Sequence, residues 1–314
     1  MNTIILENQL KKAKLPIGRN LSLIRIDPLN VPNLYIGLDS KANRLLALNL
    51  PSGYKTKFTG EKKENIRTYI DSGNHNIILE LLDDYYTSLF NDLIISLYYK
   101  IKDISDVNES TVVFINTINS WATFLQKSSE EGLTEKEIRG LVGELVILKE
   151  YLNSGRPNIN LVLESWTGPY DATYDFTFEE LNVEVKTKSS DSSIVRISNE
   201  YQLDDEPGKR MELTVVSLDK SDSGVNLSQL IKEIRDAIVS LNGDISIFLK
   251  ALAQKQLFVT NISDYDSMQY SLSLREIYDC QLINNGQEFP RVIKSRIVEE
   301  LKDFKYKINL ADFE

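Results

Sequence analysis

Two stretches of alternating residues near the middle of the chain constrain its fold most strongly. From Tyr170 to Phe178 apolar or aromatic residues alternate with polar ones, and the alternation resumes from Leu181 to Lys186 after Glu179-Glu180. A period of two residues is the period of a β-strand. Two such stretches joined by a short polar connection predict an antiparallel hairpin with one apolar and one polar face.

The polar face of this hairpin carries a group of charged residues. If the hairpin is centred between Glu179 and Glu180, Asp175 lies directly opposite Glu184, with their β-carbons about 5 Å apart. Lys186 follows on the same face, about 7 Å along the strand. Two carboxylates that close repel each other unless a cation lies between them, and hard oxygen ligands suit Mg²⁺ or Mn²⁺. The pattern is compatible with a metal site for phosphodiester hydrolysis. From the pattern alone, however, an ordinary surface hairpin with charges paired across its strands is the more frequent arrangement, because solvated strand faces are common.

A helix that could bring a further carboxylate is predicted to begin at Thr134. Glu137 follows three residues later, which is the signature of a capping box. Six apolar residues then form one stripe on the helix: Ile138, Leu141, Val142, Leu145, Leu148 and Leu152. Gly140, Gly143 and Glu144 lie together away from that stripe, and two glycines on one face allow another backbone to approach closely. Glu144 could then reach the neighbouring strand; the alternative is tight packing with a solvated Glu144.

The counts of histidine and cysteine limit the chemistry. The chain has one histidine, His75, in a turn-like segment, and one cysteine, Cys280. These counts exclude two-histidine metal sites, a disulfide framework and a cysteine-cluster zinc site, and a Ser-His-Asp or Cys-His hydrolase would have to use His75. The chemistry must therefore use carboxylates, lysine and bound metal. The net charge of −10 argues mildly against a nucleic-acid partner, although basic residues gathered on one face would be enough.

The polar segment 127–133 predicts a boundary between a region of residues 1–127, β-rich and then helical, and a region of residues 128–314 that carries the hairpin. In the first region we predict strands and then helices, at 21–26, 34–38, 44–50, 76–82, from 83 onward, and at 110–126. In the second region the predicted order is helix, hairpin, strand, helix, strand, helix, helix and strands. No transmembrane span or secretory signal is expected, so the expected location is the cytoplasm.

These residues together resemble the PD-(D/E)XK nuclease superfamily, and in particular a bacterial family assigned to it. The resemblance covers nearly the whole chain. It is carried by Trp121, Arg139–Leu145, Trp166-Thr-Gly-Pro169, Asp175-Phe176, Glu184-Val185-Lys186-Thr187, Ile197–Leu203 and Phe289-Pro-Arg291. One departure is Tyr174, which stands where the superfamily has proline. Asp171, on the same predicted strand face as Asp175, is therefore the reserve candidate.

The resemblance implies a fold and a set of site residues. The fold is α/β (α+β), with a restriction-endonuclease-like core in which helices flank a central mixed sheet. The implied activity is hydrolysis of DNA by an endonuclease that uses Mg²⁺ or Mn²⁺. The implied catalytic residues are Asp175, Glu184 and Lys186, and the implied metal ligands are Glu144, Asp175 and Glu184.

Further candidate residues lie beyond the hairpin. Gln202 follows the predicted strand 194–197, where a helix capped by Ser198 or Asn199 could begin. The resemblance implies a place near the scissile phosphate for it, because related nucleases often have a glutamine there; the alternative is an exposed helical glutamine. Four basic residues are candidate phosphate contacts: Lys188, Arg196, Lys209 and Arg210. Arg291 is either part of a structural turn or faces the DNA, and we favour the turn.

The resemblance also suggests partners, because such proteins often resemble components of bacterial restriction or phage-defence systems. The expected partners are DNA and the ATPase, helicase or methyltransferase subunits of such a system; a homodimer is compatible with it, and no membrane is expected. Two alternatives stay open. One is a non-catalytic or partner-activated subunit for DNA binding or assembly, and the other is a nuclease that acts on RNA or branched DNA.

Overall fold

The computed structural model describes residues 3–13, 21–28, 33–56, 58–122, 124–125, 132–258, 261–284, 287–293, 305–311 and 313. They form a mixed α+β protein. The chain divides into two compact units, one of Met1–Ser128 with Asp244–Leu249 and the other of Ser129–Gly243 with Lys250–Glu314. Most of the predicted boundary segment 127–133 lies outside the described residues. Within the described ranges, no helix combines the length and apolar character that a membrane span needs.

The first unit contains an antiparallel sheet of five strands in the spatial order β1-β2-β3-β5-β4. Its elements are α1 (Thr3–Leu10), β1 (Leu21–Arg25), β2 (Asn33–Asp39), β3 (Arg44–Asn49), β4 (Ile66–Asp71), β5 (Asn76–Leu81), α2 (Thr87–Ile101) and α3 (Val107–Ala122). Four predicted strands and both predicted helices are confirmed. We did not predict α1 or β4; α1 has only eight residues, too few to show a clear helical period. The single histidine, His75, lies exposed in the turn before β5, as expected.

The second unit contains a four-stranded mixed sheet in the order β10-β9-β7-β6. Strand β7 runs parallel to β9 and antiparallel to β6, while β9 and β10 are antiparallel. The elements of this part of the chain are α4 (Glu135–Asn153), α5 (Ile159–Ser165), β6 (Phe176–Thr177), β7 (Leu181–Lys188), β8 (Ile194–Ile197), β9 (Arg210–Val225), α6 (Leu227–Ser240), α7 (Ile245–Gln254), β10 (Tyr270–Asp279), β11 (Ile283–Asn284), β12 (Gln287–Glu288) and β13 (Tyr306–Asn309).

Helix α4 covers one face of β7. The predicted capping box is present: Thr134 accepts a hydrogen bond from the Glu137 backbone, and the Glu137 side chain accepts one from the Thr134 backbone. All six residues of the predicted apolar stripe are buried. The predicted close approach occurs at Gly143, where an added Cβ would lie 2.5 Å from Thr187 Cγ2, whereas a Cβ at Gly140 would meet nothing within 4 Å. Gly143 therefore lets α4 come close to β7, and Glu144 follows it directly.

The other face of β7 is covered as well. Glu184 pairs in register with Leu213 of β9, and Lys186 pairs with Val215, so these side chains share a face. That face belongs to a hydrophobic core made of Val195, Ile197, Leu203, Met211, Leu213, Val215, Tyr278, Cys280, Phe289, Ile308 and Leu310. The alternative of a solvent-exposed hairpin is thus wrong. The charged residues of β7 lie in a strand that is covered on both sides.

Two local predictions are wrong for identifiable reasons. The long strand predicted from 170 to 178 is reduced to Phe176–Thr177, because Gly168–Tyr170 forms a 3₁₀ turn around Pro169 and Asp171 adopts a left-handed backbone with φ of 55°. The helix predicted after β8 is a turn, in which Asn199 accepts a hydrogen bond from the Tyr201 backbone at 2.9 Å. Helix α5 was not predicted, since seven residues are too few to show a helical period.

Candidate active site

The hairpin of β6 and β7 has the predicted register. Phe176 pairs with Val183 and Thr177 pairs with Asn182, so the next position before β6, Asp175, is aligned with Glu184. The Asp175 side chain reaches the part of β7 that β6 does not pair with, where Oδ2 accepts a hydrogen bond of 2.7 Å from the Val185 backbone N–H. The short strand β6 makes this contact available, because pairing stops before β7 ends. Asp175 therefore takes the place of a strand partner at the edge of β7.

Glu184 and Lys186 form an ion pair inside this sheet. The Glu184 side chain is 1% exposed and the Lys186 side chain 16%. Lys186 Nζ donates a hydrogen bond to Glu184 Oε1, while Glu184 Oε2 is buried and has no hydrogen-bond partner among the described residues. A buried carboxylate oxygen without a partner is costly. This oxygen lies directly beside the predicted catalytic lysine, and its chemistry is that of a cation ligand.

Glu144 joins this group from α4. Its Oε2 accepts a hydrogen bond of 2.8 Å from the indole Nε1 of Trp166. A Cβ added to Gly168 would lie 2.8 Å from Asp175 Oδ1 and 3.0 Å from Glu144 Oε2, so these two oxygens lie within about 6 Å of each other. The helix carboxylate and the hairpin carboxylate thus meet at Gly168. The fold brings together all four residues of the predicted centre, Glu144, Asp175, Glu184 and Lys186.

The electrostatics of the group follow from burial and mutual repulsion. Burial, followed by repulsion from Asp175, raises the pKa of Glu144 to about 8. Burial raises the pKa of Asp175 despite the nearby Lys186, and burial with repulsion from Asp175 raises the pKa of Glu184 well above its ordinary value. Burial by itself would lower the pKa of Lys186, but the surrounding carboxylates outweigh it and raise that pKa. Three acids held this close favour an added positive charge.

The donor set fits a hard divalent cation. Carboxylate oxygens are the ligands that Mg²⁺ and Mn²⁺ prefer. The unpartnered Oε2 of Glu184 and the Glu144 and Asp175 oxygens that meet at Gly168 are of this type. As they stand, no three or more Asp, Glu, His or Cys side chains among the described residues form a group that could hold a metal ion. The residues therefore fit the ion by type and by their unpaired oxygens, and cation binding would have to draw them together.

The other candidate residues of the sequence analysis have contacts outside the group of Glu144, Asp175, Glu184 and Lys186. Gln202 Oε1 accepts a hydrogen bond of 2.7 Å from the Ser198 backbone within the turn, and its role at the site stays a prediction. Asp171, the reserve candidate, is not on a strand face: its side chain is 96% exposed and lies 3.7 Å from Lys255. Arg291 is structural, because its guanidinium donates to the Leu203 carbonyl at 2.7 Å and pairs with Asp205.

The basic residues proposed as phosphate contacts differ in their environment. Lys188 is 5% exposed and pairs with Glu276 at 3.2 Å, so it is not available at the surface. Lys209 pairs with Glu206 and Arg210 with Glu212, whereas Arg196 is exposed on β8.

Two residues near the site were missed by the sequence analysis. Trp166 was noted only as part of a turn motif, and no sequence signal points to its contact with Glu144. Lys255, just after α7, is close enough to lower the pKa of both Glu144 and Asp175 by its charge. A lysine at the end of a helix is typical of solvated surface, so only the tertiary structure associates it with the site.

We predict that the raised pKa of Glu144 makes the metal-free protein less stable as pH rises. Ionisation is harder in the folded chain than in the unfolded one, so stability present below pH 4.5 is lost progressively up to about pH 8. The free energy of unfolding of the wild type should fall by a few kcal/mol over this pH range, and Glu144→Gln should not show this fall. The measurement is urea unfolding in EDTA at several pH values.

Glu137→Gln, on the same helix, is the control. Hydrogen bonds from Thr134 lower the pKa of Glu137, so this variant should lose stability with rising pH as the wild type does. An unchanged pH profile for Glu144→Gln would contradict the prediction.

The chain matches a family model over nearly its whole length. The model of a family described as "Putative PD-(D/E)XK family member (DUF4420)" matches residues 6–311, which is nearly the whole chain. None of the curated proteins and none of the solved structures compared with the chain matches it.

Proposed function

The chain belongs to this PD-(D/E)XK family, and on that premise we propose that it is a metal-dependent endonuclease that hydrolyses DNA phosphodiester bonds. The observation that carries the proposal is the buried group of Glu144, Asp175, Glu184 and Lys186. Buried polar atoms in proteins usually have a hydrogen-bond partner. Here Glu184 leaves one buried oxygen unpaired beside two further carboxylates.

We assign the residues their roles from their positions. Asp175, Glu184 and Glu144 would hold the cation. When bound, Mg²⁺ or Mn²⁺ would polarise a phosphodiester oxygen and lower the pKa of a water molecule. Lys186 has a raised pKa and stays an ammonium at neutral pH, which suits donation of hydrogen bonds to the attacking water and to the charged phosphate oxygens.

The arrangement of the sheet and helix α4 also supports the proposed nuclease function. A mixed sheet carries the acidic hairpin at one edge, and α4 packs on β7 through Gly143. We propose that this arrangement is the restriction-endonuclease-like core implied by the sequence. Gln202 is kept in this proposal as a residue near the scissile phosphate, and its hydrogen bond to Ser198 would have to break for it to act there.

The biological setting is proposed from the resemblance. We propose that the protein works in a bacterial restriction or phage-defence system with DNA as substrate, together with ATPase, helicase or methyltransferase subunits. A partner-activated subunit is the second candidate, because the net charge of −10 opposes unaided binding to a polyanion. Cleavage of RNA or branched DNA by the same site would require the same residues.

The proposal predicts that Asp175→Asn abolishes cleavage, whereas Asp171→Asn does not. Both changes replace an aspartate by its neutral isostere, but Asp171 is exposed and Asp175 lies in the carboxylate group. The assay is cleavage of supercoiled plasmid, single-stranded DNA, RNA and a branched junction with Mg²⁺, Mn²⁺ or EDTA. We expect a loss of at least about 10²-fold for Asp175→Asn.

The remaining outcomes of this assay separate the candidates. Equal activity of the wild type and Asp175→Asn would place the activity elsewhere and reject the site. Activity only after addition of an ATPase or methyltransferase partner would favour the partner-activated subunit. Preference for RNA or a junction would revise the substrate and keep the site.

A further inference from the structure

One short segment of the chain contacts both Glu144 and Asp175. The segment Trp166–Gly168, called here the 166–168 segment, lies between α5 and β6. The Trp166 side chain is fully buried, at 1% exposure, and its only polar atom donates to Glu144 Oε2 at 2.8 Å. An indole N–H can only donate. The bond therefore favours the ionised form of Glu144, in a place where burial opposes ionisation.

The same segment also fixes Asp175. The backbone N–H groups of Thr167 and Gly168 both donate to the Asp175 carbonyl oxygen, at 2.9 and 3.0 Å. Thr167 Oγ1 donates to the Tyr174 carbonyl oxygen at 2.9 Å. Three hydrogen bonds thus hold the backbone that carries Asp175, just before β6 begins. A shift of the segment would move both carboxylates.

Gly168 leaves space where those carboxylates meet. A side chain there would place its Cβ 2.8 Å from Asp175 Oδ1 and 3.0 Å from Glu144 Oε2. Carbon–oxygen contacts that short are repulsive, so any larger residue would push the oxygens apart. Only glycine therefore lets two carboxylate oxygens of the proposed cation site lie this close to the backbone of residue 168.

We propose that the 166–168 segment is a positioning element for cation binding, in which the Trp166 indole orients Glu144 and the lack of a side chain at Gly168 lets Glu144 and Asp175 come together. The inference rests on the proposed function, because it assigns these carboxylates to a divalent cation. In this role Trp166 acts through its hydrogen bond to Glu144 and is not itself a cation ligand. It resembles the outer partners of metal ligands, whose loss typically weakens metal affinity by about 10- to 100-fold.

The first test measures Mn²⁺ affinity by isothermal titration calorimetry. Trp166→Phe keeps an aromatic side chain but removes the N–H donor, and we expect Mn²⁺ affinity to fall about 10- to 100-fold. Trp121→Phe is the matched control. Trp121 is also fully buried, and its indole nitrogen has no hydrogen-bond partner among the described residues, so its loss should leave Mn²⁺ affinity within about twofold of the wild type.

A second measurement separates positioning from general destabilisation. In a Glu144→Ala background the indole has no carboxylate to orient, so adding Trp166→Phe should not change Mn²⁺ affinity further. A merely structural role would weaken binding in both backgrounds. Gly168→Ala is expected to weaken Mn²⁺ binding as well, whereas Gly140→Ala, where an added Cβ meets nothing within 4 Å, should not.

A third measurement leaves the site intact. The chain has two tryptophans, so Trp121→Phe makes Trp166 the only indole. Its fluorescence should change when Mn²⁺ is added and saturate at the Mn²⁺ affinity found by calorimetry, while the emission of the Trp166→Phe protein, which reports Trp121, should not saturate in this way. The Trp166 signal itself does not depend on the folding of Trp166→Phe.

The outcomes distinguish this inference from the proposed function. A wild type that neither binds Mn²⁺ nor cleaves nucleic acid would reject both. A wild type that binds and cleaves, with Trp166→Phe matching Trp121→Phe in Mn²⁺ affinity, would overturn the inference alone.

Discussion

Replacing Lys186 by methionine is expected to lower the rate of DNA cleavage by about 10²- to 10³-fold, with little change in the overall fold. Methionine keeps the length of the side chain but removes the ammonium that faces Glu184. Losing one preorganised donor at a site where negative charge develops typically costs that much. The measurement is the initial rate of plasmid cleavage at saturating Mg²⁺, with far-UV circular dichroism to verify folding.

The chain offers a matched control for this change. Glu-x-Lys occurs three times, at 61–63, 184–186 and 300–302; the last copy lies outside the described residues. In the first copy Lys63 pairs with Glu61 at 3.6 Å, and the two side chains are 30% and 64% exposed. Lys63→Met should therefore leave cleavage unchanged. Loss of activity in both variants to the same extent, or in neither, would show that Lys186 is not part of the catalytic group.

The Glu184→Gln variant is expected to be more stable than the wild type in the absence of metal, and inactive. Glutamine removes a buried charge that has one unpaired oxygen and is repelled by Asp175 and Glu144. Lys186 keeps the charges of those two acids beside it, so relief of the unpaired buried oxygen should be worth about 1–3 kcal/mol. The folded pKa of Glu184 is raised, so the wild type is destabilised as pH rises and the gain should grow from acidic to neutral pH. Urea unfolding of both proteins in EDTA, at an acidic and at neutral pH, measures this gain in stability.

The same variant should lose its response to metal. A ligand that binds only the folded protein raises stability by mass action, so Mg²⁺ should raise the melting temperature of the wild type and not that of Glu184→Gln. Glu61→Gln, in the exposed copy of the motif, should behave as the wild type in both experiments. If Glu184→Gln were less stable than the wild type without metal, the pair with Lys186 would be a structural ion pair instead of a ligand site.

Local pattern was enough to predict the central hairpin and the helix beside it. Alternation placed Asp175 against Glu184, and the observed pairing of Phe176 with Val183 has that register. The capping box at Thr134 gave the start of α4, and the glycine at 143 gave its close approach to β7. These features depend on residues near in sequence, since a strand or helix period is set by the backbone itself.

Local pattern failed where a distant or backbone effect overrides it. The alternation of 170–175 is cut short by the turn at Pro169 and the left-handed Asp171. Asn199 and Gln202, expected to start a helix, form hydrogen bonds within a turn instead, because such side chains satisfy backbone groups in turns as readily as at a helix start.

By itself the sequence determined which residue types are available and which strand face they share: one histidine, one cysteine, and an aspartate, glutamate and lysine in one hairpin. Only the tertiary structure decided that a hydrophobic core around β9 buries this face. It also decided that Trp166 binds Glu144 and that Lys255 lies close to the Glu144 carboxyl. The physical reason is that burial and charge coupling arise from residues far apart in the chain. The period of a strand fixes the direction of a side chain, whereas the packing around it fixes its solvation and therefore its chemistry.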